Sequence, residues 1–94
     1  MGKNSDVSRM LGKQLFRAGT SIGSNIEEAQ GGQSRADFIS KISIARKEAR
    51  ETLYWLRLLS EAKFISPGKL NDITSECNEL ISILTAIIKK TQKS

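Results

Sequence analysis

Only one proline, Pro67, and only one glycine doublet, Gly31-Gly32, interrupt these 94 residues. Proline and paired glycines are the strongest helix breakers a chain has, so their scarcity leaves three long stretches free to be helical. Ser34 follows the glycines as a helix N-cap, and Asp37 three residues on completes a capping-box-like pattern. Ser66 caps a third segment, with Pro67 at its first helical position, where a missing amide hydrogen costs nothing. No segment alternates with a period of two, so strands are not expected. The reading is all-α, a single domain over 1–94. Helix A runs from about Asp6 to Gln30, helix B from about Arg35 to Lys63 and helix C from about Pro67 to Lys90. At roughly 1.5 Å per residue helix B would be about 43 Å long. Short turns between long helices make antiparallel neighbours, hence an antiparallel helical bundle.

Apolar spacing assigns the faces. In helix A, Val7, Leu11, Leu15, Ala18, Ile22, Ile26 and Ala29 repeat after eleven residues, close to the period of an undistorted helix. In helix C, Leu70, Ile73, Cys77, Leu80, Leu84 and Ile87 form a heptad seam, widened by Ile81, Ile83 and Ile88. Helix B carries more than one stripe. Phe38, Ile42, Ala45, Ala49, Leu53 and Leu56 make the core face. A second apolar group, Ile44, Trp55, Leu58 and Ala62, is surplus to a lone three-helix unit and reads as an oligomer interface, with capping of the bundle end by Trp55 as its plainer use. A third strip holds Arg46, Arg50 and Arg57.

Helix A also holds Gly12, Gly19 and Gly23 on one side. Each costs roughly 1 kcal/mol against alanine in a helix interior, about 3 kcal/mol together. Close packing of another backbone, or of a bulky side chain such as Phe38 or Trp55, would recover it. GTSIGSN has neither the lysine nor the preceding strand of a phosphate-binding loop, so packing is the better account.

Charge and cysteine content bound the setting. Fifteen basic residues against ten acidic ones give a net charge of +5, a mild preference for an acidic partner. Cys77 is the only cysteine, which fits a reducing compartment and a small buried side chain better than a reactive thiol. No leader pattern, lipidation signal or membrane-length apolar run is present, so the expected location is cytoplasmic, with no membrane partner. The absence of histidine excludes Ser-His triads, histidine bases and Glu-x-x-His metal sites. Glu27, Glu28, Asp37, Glu48 and Glu51 are interleaved with Lys41, Arg46, Lys47 and Arg50. That pattern suits a solvated face with pairs such as Lys47 and Glu51. Asn25 and Glu28 are expected to hydrogen-bond the amides of the Gly31-Gly32 turn, in preference to a Glu28–Asp37 metal site. The residues therefore predict no enzyme, no cofactor, no metal, no catalytic residue and no small-molecule substrate.

The run SIGSNIEEA from Ser21 to Ala29, the Asp37-Phe38 pair and IARKEARETLYWLRLL from Ile44 to Leu59 resemble the four-helix-bundle family of small bacterial proteins often encoded within intervening sequences of 23S ribosomal RNA genes. The resemblance spans about Leu15 to Lys90, and the family is similar to the accessory proteins of diversity-generating retroelements. It implies a ring-like homopentamer, association with ribosomal or other RNA, and no catalytic residues. Family members usually carry a further amphipathic helix before the segment matching helix A, which would leave core surface of helices A and C for a partner to cover.

Two readings follow. In the first, a homo-oligomer presents Arg46, Arg50 and Arg57, aided by Lys41, Lys47, Lys89, Lys90 and Lys93, to the phosphates of structured RNA. Five copies would raise the charge to about +25, enough for strongly salt-dependent binding. No exposed aromatic platform is expected, so binding is by shape and charge. In the second, a protein-only scaffold, the arginines pair with Glu48, Glu51 or Glu61 of a neighbour, and the lysines at the end of helix C complement its dipole.

Overall fold

A computed structural model describes residues 2–31, 34–62 and 66–93, with side chains throughout these ranges except at 2–5, 7, 8 and 62. It contains three α-helices in chain order: α1 (Gly2–Gln30), α2 (Arg35–Ala62) and α3 (Pro67–Lys93). The order and type of the elements match the sequence expectation. α1 starts four residues earlier than expected and α3 runs three residues further. The expected end of the middle helix at Lys63 lies outside the described residues.

The helix starts are built as the sequence implies. The Ser34 hydroxyl accepts the Asp37 amide at 3.1 Å, satisfying a donor that the first turn cannot pair internally, and its carbonyl accepts the Phe38 amide at 3.0 Å as the first helical bond. The Ser66 carbonyl accepts the Leu70 amide at 3.1 Å. At the other end of α1, the Gly31 amide donates to the Glu28 backbone carbonyl at 3.2 Å. The carboxylate of Glu28 is engaged elsewhere, and Asn25 turns back to donate to the Ser21 carbonyl at 2.8 Å. At the Gly31 amide, side-chain capping by Asn25 or Glu28 is thus replaced by a backbone bond, because both side chains find partners within helical reach or across the helix interface; the Gly32 amide lies outside the described residues.

α2 is the middle member of the set. It packs against α1 on one side and α3 on the other, while among the described residues the α1 and α3 backbones do not pack on each other. The result is an elongated slab of 52 × 21 × 13 Å, with α1 and α3 as its edges. Both edge helices are antiparallel to α2 and so parallel to each other. The core runs through the slab as two clusters. One joins Ile22 and Ala29 of α1, Ile42, Ala45 and Ala49 of α2, and Leu84 and Ile88 of α3. The other joins Leu56 of α2 to Leu70 and Cys77 of α3, with Leu15 and Leu53 packed against it. Ala45 and Ala49 are fully buried, and their small size lets the flanking helices approach the central one.

Most of the expected core face is present, with three differences. Leu59, absent from the expected stripe, is buried near the end of α2. Ile73 and Ile83, expected in or beside the α3 seam, are 43% and 49% exposed. Ile83 shares the side of α3 turned away from α2, where an edge helix has only one neighbour. Val7 of the α1 stripe lies outside the described side chains.

Candidate nucleic-acid interface

The two sides of α2 treat charge differently. Toward α1, the Arg17 guanidinium lies 3.8 Å from Oε1 of Glu48 and pairs directly with Oε1 of Glu51. The Trp55 indole N–H donates to the same Glu51 oxygen at 3.4 Å. Further along the same seam, Lys41 meets Glu28 at 3.2 Å. That contact, with the Ser24 hydroxyl, holds the Glu28 carboxyl below its ordinary pKa. Glu48 is half-buried, and its Oε1 has no hydrogen bond, so the Arg17 charge is what compensates it. Thus Lys41, expected at a phosphate surface, is committed within the chain. The expected Lys47–Glu51 pair is replaced by Arg17, because an arginine from a neighbouring helix reaches both carboxylates at once.

Toward α3 the acids are missing. Arg46 is half-buried and donates to the Thr85 hydroxyl at 3.5 Å. Arg50 and Arg57 are exposed, and among the described residues neither makes an ion pair or hydrogen bond. Lys47 is likewise exposed on the outer face of α2. The structure therefore leaves Arg50, Arg57 and Lys47 available and holds Arg46 at the edge of the same strip.

Tyr54 belongs beside them and was not anticipated. It lies between Arg50 and Arg57 along the helix, its ring is 55% exposed, and it packs edge to face on Trp55 with centroids 5.3 Å apart. An exposed aromatic thus stands next to the guanidinium groups, contrary to the expectation that no such platform exists. The signal was legible in the spacing, since a residue four after Arg50 and three before Arg57 shares their face.

The second apolar group on α2 is partly covered within the chain. Trp55 and Leu58 are half-buried, Ile44 is 39% exposed, and Ala62 lies outside the described side chains. The glycines are different. A methyl group placed on Gly12, Gly19 or Gly23 meets no atom within 4 Å, so neither Phe38 nor Trp55 fills the notch as expected. The notch faces away from α2 and stays open, with Phe16 beside it 78% exposed. Cys77 is buried and directs its thiol to the Ala49 carbonyl at 3.2 Å, and desolvation raises its pKa. It has a packing role. Among the described residues no three His, Cys, Asp or Glu side chains cluster closely enough to hold a metal ion, and no helix is long and apolar enough to cross a membrane.

Residues 4–86 match the profile of the 23S rRNA-intervening sequence protein family. The chain is also similar to a protein of unknown function from the S23 ribosomal protein family of Bacteroides thetaiotaomicron VPI-5482, whose crystal structure was determined at 1.70 Å resolution. The two are 49% identical and superpose with a TM-score of 0.82 over 84% of this chain and 73% of the other. No curated protein matches.

Proposed function

The chain belongs to the 23S rRNA-intervening sequence protein family, and on that premise we propose that it is a non-enzymatic, cytoplasmic homo-oligomer that associates with structured RNA through the arginine strip of α2. The observation that carries this reading is the unequal use of acids around α2. Glu48 and Glu51 are occupied by Arg17, so Arg50 and Arg57 keep their full charge toward solvent. Guanidinium groups without local acids are suited to phosphate oxygens, which accept their paired hydrogen bonds. Tyr54 adds a face on which an unpaired base can stack. Ring-like assembly, pentameric on the family resemblance, repeats the strip and multiplies the +5 of each chain.

The test is a salt titration with a structured RNA that carries unpaired loops. The logarithm of the binding constant should fall linearly with the logarithm of salt concentration. Replacing Arg46, Arg50 and Arg57 with glutamine should flatten that slope by about two units while the solution mass is unchanged. An unchanged slope would remove RNA from the account and leave a protein-only scaffold. Loss of the oligomer in the same variant would assign the arginines to contacts between copies.

A further inference from the structure

The two edges of the slab carry matching seams. On α1, Arg9, Lys13, Phe16, Thr20, Gly23 and Glu27 step by 4, 3, 4, 3 and 4, and all six are exposed. This is the side of α1 turned away from α2. On α3, Asp72, Glu76, Glu79, Ile83, Ala86 and Lys90 follow the same steps on the side turned away from α2, and all six are exposed. Such steps make a continuous stripe along a helix, the geometry of a seam that packs against another helix. The charges are opposite from end to end: basic residues open the α1 seam and acidic residues open the α3 seam, while the last member is acidic on α1 and basic on α3. Between them stand Phe16 at 78% exposure, the open notch at Gly23, Ala86, and Ile83 at 49% exposure.

Their heights also agree. The Arg17–Glu51 and Glu28–Lys41 contacts fix α1 against α2, and the Arg46–Thr85 and Cys77–Ala49 contacts fix α3 against α2. By these registers Arg9 and Lys13 on one edge, and Asp72 and Glu76 on the other, both lie level with the last turns of α2. Because α1 and α3 are parallel, the α1 edge of one copy can lie along the α3 edge of the next without sliding. Deepening the homo-oligomer reading above and resting on it, we infer that copies of this chain join edge to edge, α1 of one against α3 of its neighbour, with Arg9 and Lys13 facing Asp72 and Glu76.

This contact uses two different surfaces, so each copy keeps one edge available after pairing. Repetition of such a contact makes a ring where the rotation between copies closes a full turn, and an open array where it does not. The Thr20 hydroxyl already donates to the Phe16 carbonyl at 2.8 Å, so the seam has no unmet hydroxyl to satisfy at that step. Among the described residues Arg9 meets only Asp6, at 3.9 Å on an open surface, a pair that a closer acid can displace.

Light scattering on charge-reversed chains tests the inference. The wild type should weigh several times 10.4 kDa. A variant with Arg9→Glu and Lys13→Glu, and another with Asp72→Lys and Glu76→Lys, should each fall to the single-chain mass with helicity retained by circular dichroism. Mixed in equal amounts they should associate above the single-chain mass, because the acidic α1 edge of one meets the basic α3 edge of the other, with unlike variants alternating. Should either variant lose helicity, Gly23→Leu provides the check, since it meets nothing within the chain and should lower the mass by blocking the seam. Reversed chains that keep helicity and the wild-type mass, or an unaltered mass for Gly23→Leu, would overturn the edge contact and leave the homo-oligomer standing on another face. A wild type of 10.4 kDa would overturn both.

Discussion

On its α1 side, helix α2 places Glu48 and Glu51 against Arg17 and Lys41 against Glu28, whereas on its α3 side, among the described residues, Arg46 reaches only Thr85 and Arg50 and Arg57 make no ion pair or hydrogen bond. The same helix is electrostatically closed along one flank and open along the other. The difference lies in its neighbours. α1 brings a long cation to carboxylates that are partly withdrawn from water, and a half-buried carboxylate is costly unless an opposite charge faces it. α3 brings a threonine hydroxyl, which accepts one hydrogen bond and neutralises no charge. One flank is therefore built for holding the helices together. The other carries arginine charge that no acid among the described residues offsets.

Both flanks rest on one shared core, and the first way to break the comparison is to remove it. Leu84 of α3 is nearly fully buried in the cluster that also holds Ile22 and Ala29 of α1 and Ile42, Ala45 and Ala49 of α2. Leu84→Ala should lower stability by about 3–5 kcal/mol in a denaturant titration. A loss below about 1 kcal/mol would mean that the flanks hold together without this core.

Substitutions on the open flank should then register in binding and spare the fold. Tyr54→Ala should weaken binding to an RNA with unpaired loops by about 1–3 kcal/mol, and should leave binding to a fully paired duplex nearly unchanged. Equal losses on both would show that the ring does not stack on bases. On the closed flank the ordering reverses. Arg17→Ala should cost about 1 kcal/mol of stability, because Glu48 is left half-buried without its cation, although the exposed half of the arginine limits the effect. Arg50→Ala and Arg57→Ala should each stay within about 0.5 kcal/mol of wild type. If all three substitutions destabilise equally, the flanks are not different in the way the contacts imply.

The smallest effect concerns acid. The Lys41 and Ser24 contacts hold the Glu28 carboxyl below the ordinary value of 4.5, so the stabilisation is present above that value and is lost as pH falls through the lower value in the folded chain. A melting temperature followed downward in pH should decline there, and Glu28→Gln should flatten the decline slightly. Glu28 is open to solvent and Lys41 partly so, so added salt should shrink the difference between the two proteins. A decline as steep in Glu28→Gln as in wild type would locate it in other carboxylates.

Helix number, order and the starts of α2 and α3 were legible from the sequence, because they follow from local chemistry: Ser34 and Ser66 can cap, Pro67 can only begin a helix, and Gly31-Gly32 ends one. The buried members of each stripe, among them Ala18, Ile22, Ala45, Ala49 and Leu84, also followed from period alone, since burial repeats with the helix turn. The arginine strip was legible for the same reason. Its neighbours were not. That Glu48 and Glu51 belong to Arg17, more than thirty residues away in sequence, depends on the register between α1 and α2, which no spacing within one helix encodes.

What the sequence alone determined is an all-helical chain of three long rods, each with its apolar face, its charges and its caps, because those properties repeat over a few residues. What only the tertiary structure decided is which rod stands in the middle. With α2 between α1 and α3, the α1 glycines stay uncovered although their cost called for close packing, and Ile83 of α3 lies on an uncovered edge although period counts it beside the seam. The reason is physical: periodicity tells each helix which way to turn its oily side, while the number of neighbours available to cover that side is a property of the assembled slab.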